Sequence, residues 1–131
     1  MTKADLEQRT KAFAVSVIRF LDNLPKRKAV GVIATQLARS ATSIGANYRE
    51  ANRAESRRDF VHKIAIIEKE AAESLYWIEL FEELMIGNPT ERRQLACECD
   101  QLLAIFTRIG KTTKERTPNS AFRIPHSEFS E

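Results

Sequence analysis

Ala41-Thr42-Ser43-Ile44-Gly45-Ala46-Asn47-Tyr48-Arg49-Glu50-Ala51, followed after four residues by Ser56-Arg57-Arg58-Asp59-Phe60, decides how this chain folds. The first stretch reads as the end of a helix whose contact stripe is rich in small residues. The second reads as the start of another helix. There Ser56 can cap, and Asp59 places a carboxylate where unpaired amides and the positive end of the helix dipole lie. A short, arginine-rich turn separates the two, so they form an antiparallel helical hairpin.

Upstream, the helix ending at Ala51 extends back to about Lys28. Val30, Ile33, Leu37, Ile44 and Tyr48 form its apolar stripe, with Ala34, Ala38, Ala41 and Gly45 beside it. A glycine inside a helix costs about 1 kcal/mol against alanine, a loss that close approach of a neighbouring helix offsets. Before it, Leu6, Thr10, Phe13, Val17, Phe20 and Leu24 recur at alternating spacings of four and three from about Lys3. Thr2 with Asp5 suggests a capping box, and Pro25 ends the pattern.

Downstream, Phe60, Ile64, Ile67, Ala71, Ser74, Ile78, Phe81 and Met85 carry a third helix to about Ile86, with Gly87 expected as its C′ residue. A second stripe, Trp77, Leu80 and Leu84, runs beside its last third. A fourth helix opens at Asn88-Pro89, a cap followed by a residue suited to the first helical position. Leu95, Cys99, Leu102, Phe106 and Ile109 form its seam to about Arg116, and Thr117-Pro118 breaks it. The expected fold is all-α: residues 1–116 as an up-down-up-down antiparallel four-helix bundle. Residues 117–131 form a tail, with Phe122, Ile124 and Phe129, expected to be disordered or docked on a neighbouring subunit.

Composition narrows function mainly by exclusion. No apolar run reaches the roughly 18 residues that cross a bilayer. Met1-Thr2-Lys3-Ala4-Asp5 lacks the apolar centre of a signal peptide, so a cytoplasmic location without a membrane partner is expected. Cys97 and Cys99 lie about 200° apart on a helix, too divergent to share an ion easily; one buried and one partly exposed structural thiol are expected. A di-iron bundle needs two Glu-x-x-His pairs. The histidines here are His62 and His126, and Asp59-x-x-His62 is a single acid–histidine pair. Phosphate-loop, nucleophile-elbow and zinc-protease signatures are absent. No catalytic residue, metal, cofactor or small-molecule substrate is expected.

Net charge is only +3, but its placement matters. In an antiparallel bundle the start of helix 1, the 2–3 turn and the end of helix 4 share one end. Residues 49–63 are net +2, residues 108–116 net +3 and residues 2–11 net +1. Residues 68–86 are net −5, which suggests a molecule polarised along its length. The basic end suits phosphate contacts through Arg49, Arg53, Arg57, Arg58, Lys111 and Lys114. Asn47 and Glu50, three residues apart on one helical face, read as a structural polar latch: Asn47 bridging to backbone across the turn, Glu50 binding the first amides of helix 3 or one of Arg39, Arg53 and Arg57.

Arg39, Ser43-Ile44, Asn47, Glu50, Arg53, Ser56, Asp59-Phe60, Ala65, Glu73 and Leu75 together resemble a known pattern. It is that of the four-helix-bundle proteins encoded within intervening sequences of bacterial 23S ribosomal RNA genes, sometimes labelled ribosomal-protein-like. Ala51 stands where glycine usually follows the glutamate, and Glu68-Lys69-Glu70 replaces a small-residue segment. The resemblance covers about residues 1–115 and implies a homopentamer. The chain is also similar to accessory proteins of diversity-generating retroelements, pentamers that bind nucleic acid and a reverse transcriptase. Independently, Trp77, Leu80 and Leu84 need a cover, which points to self-association. Two functions are expected: RNA or DNA binding through the basic end, or a scaffold that recruits a protein partner through the ring or the tail.

Overall fold

The computed structural model describes residues 1–115, and these form four helices: α1 (Lys3–Asp22), α2 (Lys28–Ala51), α3 (Arg57–Leu84) and α4 (Pro89–Glu115). The expected fourth-helix end at Arg116 and the tail lie outside the described residues. α1 packs on α2, α2 on α3, α3 on α4 and α4 back on α1, which is the antiparallel bundle expected.

Local caps set the helix starts. Thr2 Oγ1 accepts from the Asp5 amide at 3.0 Å and Asp5 Oδ2 accepts from the Thr2 amide at 2.9 Å, a complete capping box. Ser56 Oγ accepts from Asp59 N at 3.0 Å, and Asn88 Oδ1 from Glu91 N at 3.0 Å. The end of α3 differs from expectation. Met85, not Gly87, takes the left-handed position, with φ 56°. Met85 N donates to Glu82 O and Ile86 N to Phe81 O, the paired bonds of a Schellman ending. Met85 therefore swings out of the seam and is 79% exposed. Gly87 is still needed nearby: its φ is +88°, and a Cβ there would sit 2.6 Å from the Phe20 ring.

The core is a stack of seam residues. Phe20 meets Phe81 edge-on at 5.7 Å across one diagonal, and Tyr48 meets Phe106 at 5.3 Å across the other. Leu37, Ile44, Ile64, Ile67, Leu102 and Val17 fill the layers between and are fully buried. The small-residue stripe of α2 works as anticipated. A Cβ on Gly45 would lie 3.1 Å from Thr10 Oγ1, so α1 and α2 touch there. Buried Thr10 returns its hydroxyl to Leu6 O at 3.0 Å. Ser74 donates to Ser40 at 2.8 Å between α2 and α3, and both are fully buried. At the α3–α4 turn, buried Arg92 donates to Glu82 at 2.7 Å and to Gly87 O at 2.8 Å, fixing the reversal.

Gly87→Ala combines left-handed strain with overpacking against Phe20, and should cost about 2–4 kcal/mol in urea unfolding. Gly31 faces open space inside a helix, so Gly31→Ala should instead stabilise by roughly 0.5–1 kcal/mol. A loss at Gly87 no larger than the change at Gly31 would contradict this reading of the turn.

Candidate nucleic-acid interface

Three separated parts of the chain meet at the end of the bundle formed by the α2–α3 turn. Lys3 of α1, Asn52, Ser56, Arg57 and Phe60 of the turn region, and Thr113 of α4 line a single depression. Arg49, Arg53, Arg57, Arg58, Lys111 and Lys114 all lie on helices or loops at this end, with exposed side chains. Among the described residues none of the six makes an ion pair within 4 Å. Other cations are committed to the fold: Arg9 to Glu98 at 2.7 Å, Arg92 to Glu82, Lys63 to Glu50 at 2.8 Å, and Arg39 to Glu73 and Glu70. The bundle thus sorts its basic residues into structural partners and a free set.

The expected polar latch is only half present. Glu50 does join α2 to α3, but through Lys63, whose ammonium it holds above its ordinary pKa by hydrogen bonding and charge. Asn47 donates to Ser43 O at 2.8 Å within its own helix and does not cross the turn. Its expected role falls to Asn52, which the sequence reading passed over. Asn52 Nδ2 donates to Glu7 Oε2 at 2.9 Å, tying the end of α2 to α1, while its buried Oδ1 has no protein partner. An asparagine just past a helix end was a local signal; its partner in α1 was not.

Glu68 supports α4 from below this end. Gly110 lies so close that a Cβ would fall 2.7 Å from Glu68 Oε2. Burial raises the Glu68 carboxyl pKa, and the Lys114 charge opposes the shift.

Charge is less polarised along the axis than expected. The acidic run of α3 does lie toward the far end, but the α1–α2 turn brings cations there too. Residues 19–28 carry Arg19, Lys26, Arg27 and Lys28 against Asp22, net +3. The glutamates of α3 therefore make an acidic flank rather than an acidic pole.

The second stripe of α3 is partly consumed within the subunit. Trp77 is half-buried, and its indole N–H donates to Glu73 Oε2 at 3.0 Å. That bond, followed by Arg39, holds the Glu73 carboxyl below its ordinary pKa. Leu80 is half-buried, Leu84 is exposed, and Tyr76, which the stripe did not include, is exposed beside them.

The C-x-C pair behaves as two separate thiols. Cys97 is exposed and Cys99 buried. Burial pushes the Cys99 thiol up to about 12, and its Sγ lies 3.3 Å from Ala71 O. Among the described residues no group of three His, Cys, Asp or Glu side chains is placed to hold a metal. No described helix is long and apolar enough to cross a membrane.

Residues 2–108 match the sequence model of the 23S rRNA-intervening sequence proteins. The chain belongs to that family. It is similar to a crystal structure from Bacteroides thetaiotaomicron, a protein of unknown function in the S23 ribosomal protein family. The two share 32% identity with a TM-score of 0.76, over 85% of this chain and 99% of the other. No curated protein matches the chain. In this family member the matched region contains the arginines of the α2–α3 turn but stops before Lys111 and Lys114.

Because folding raises the Glu68 pKa, the native state binds its proton more tightly than the unfolded chain does. Its favourable contribution is complete at low pH and is lost as pH rises from 4.5 through the higher folded value. Glu68→Gln should therefore be more stable than the parent near neutral pH, with the gap closing by about pH 4. A Gln variant less stable than the parent at neutral pH would show that the Lys114 attraction outweighs desolvation.

Proposed function

We propose that this protein is a non-enzymatic, cytoplasmic homo-oligomer that binds RNA or DNA through the end where the α2–α3 turn meets the last turns of α4. One observation supports this above the rest: Arg49, Arg53, Arg57, Arg58, Lys111 and Lys114 gather there exposed, with no ion pair among the described residues. One subunit offers a few phosphate contacts, which bind weakly at physiological salt. The homopentamer implied by family resemblance would set five such ends side by side, and cyclic symmetry would turn a weak patch into a substantial field. Making about 6–10 phosphate contacts costs roughly 10³–10⁵ in affinity between 50 and 200 mM salt, so binding should be strongly salt-dependent. The exposed arginines also suit stacking on unpaired bases, as single-stranded RNA offers.

An electrophoretic shift with a structured RNA tests the reading. The parent should shift it at low salt and lose it as salt rises, and the triple variant Arg53→Glu, Arg57→Glu, Arg58→Glu should not shift it at all. Absent binding, or binding indifferent to salt and to the triple variant, would reject it. The first of these outcomes would favour a protein-recruiting scaffold.

A further inference from the structure

Seam spacing gives Phe60 the first core position of α3, yet the structure buries Val61 there and leaves Phe60 half-buried. Phe60 packs against the core cluster and also lines the depression at the α2–α3 end. Of the other rings among the described residues, Phe13, Phe20, Tyr48, Phe81 and Phe106 are buried. Tyr76 and Trp77 keep some surface, but on the acidic flank of α3. Phe60 is thus the one described ring that offers surface at the basic end.

The groups around that ring are of mixed chemistry. Lys3 and Arg57 line the same depression, both exposed and neither in an ion pair within 4 Å among the described residues. Asn52 and Ser56 from the turn region and Thr113 from α4 add hydrogen-bonding side chains. Glu55 adds one exposed carboxylate. A carboxylate opposes a polyanion unless a donor meets it, and the exocyclic amines of bases and the ribose hydroxyl are such donors. The depression measures about 460 Å³, a size that accepts one small ligand.

This combination separates two forms of nucleic acid. A duplex keeps its bases stacked inside and presents phosphates, so it would meet the cations and leave the ring unused. An unpaired nucleotide can turn its base into the depression, where any base finds an aromatic surface to stack on. We propose that this depression takes one unpaired nucleotide, its base against the Phe60 ring and its flanking phosphates on Lys3 and Arg57. The proposal rests on the functional reading above and names the form of nucleic acid that reading takes. Arg49, Arg53, Arg58, Lys111 and Lys114 then hold the strand on either side, and a structured RNA supplies the nucleotide from a loop.

Fluorescence anisotropy of the full chain tests the site at one low salt concentration. The probes are an unstructured RNA of about 10 nucleotides, a usual site size for single-strand binders, and the blunt duplex with its complement. Phe60→Leu keeps an apolar side chain on the core but removes the ring. It should lose about 5- to 100-fold in affinity for the single strand and bind the duplex as the parent does. Phe60→Tyr restores a ring and should restore single-strand binding. Single-stranded DNA of the same sequence should show the same dependence, because the ring meets the base and not the sugar. Dependence for RNA alone would overturn the stacking assignment. So would an equal loss on strand and duplex, or no loss on either. The unmodified protein gives a second measurement that does not rely on a variant folding. Irradiated with the same RNA carrying 5-iodouridine, it should crosslink within the tryptic peptide Asp59–Lys63, at Phe60, and crosslinks confined to other peptides would overturn the site. A parent that binds neither strand nor duplex overturns the functional reading and this site with it. A parent that binds both in a salt-dependent way, indifferent to Phe60, overturns this site alone.

Discussion

The hydrogen bond from Ser74 to Ser40, 2.8 Å long and fully buried between α2 and α3, fixes the register on which the molecule depends. Two small hydroxyl residues satisfy each other, with Ser40 also donating to Leu37 O at 3.3 Å. Sliding α2 along α3 by one turn would take the Ser40 acceptor away from the buried Ser74 hydroxyl, at about 1–3 kcal/mol for an unsatisfied group, while Ser40 would keep its bond to Leu37 O. Apolar side chains alone tolerate such a slip far better. The same register brings Arg39 to Glu73 and Glu50 to Lys63. It also sets where the α2–α3 turn stands relative to α1 and α4.

From that register the charge pattern follows. The turn must be short and polar, and arginines suit it because the core layers beneath are already closed by Tyr48 and Phe106. Asn52 ties the turn to α1 through Glu7, and Gly110 lets the last turns of α4 settle over Glu68. Cations from segments far apart in sequence thus become neighbours, while the cations that the fold uses are removed into ion pairs. Of the glutamates of α3, Glu70, Glu73 and Glu82 are taken up in such pairs, whereas Glu79 and Glu83 are not. One architecture therefore gathers at one end the unpaired cations that the proposed phosphate contacts need.

Much of this was legible in the sequence because its determinants are local. Thr2 with Asp5, Ser56 with Asp59, and Asn88 with Pro89 mark helix starts within three residues of themselves, and the structure has each helix beginning there. The alternating seam gave most of the buried residues but passed over Ser40, Ala51, Val61, Arg92 and Gly110. The end of α3 was misread because Gly87 looked like the helix stop. Its glycine character answers to Phe20 and Leu24, which pack where a Cβ would be, and this lets Met85 take the left-handed position ahead of it. Asn47 was singled out because helical spacing pairs it with Glu50, whereas Asn52 finds its partner in another helix. The axial polarity was overstated because the cations of the α1–α2 turn were not weighed against α3.

The central claim is that assembly multiplies a modest basic patch into a nucleic-acid surface. Its most direct test is the slope of log affinity against log salt for a structured RNA. The parent is compared with Leu84→Glu, a variant that keeps every candidate cation but blocks the apolar flank and is confirmed monomeric by sedimentation. The account predicts a slope several times steeper for the assembled protein than for the monomer, at about 0.7–0.9 per phosphate engaged. Equal slopes, or an assembled protein that does not bind the RNA at all, would contradict it.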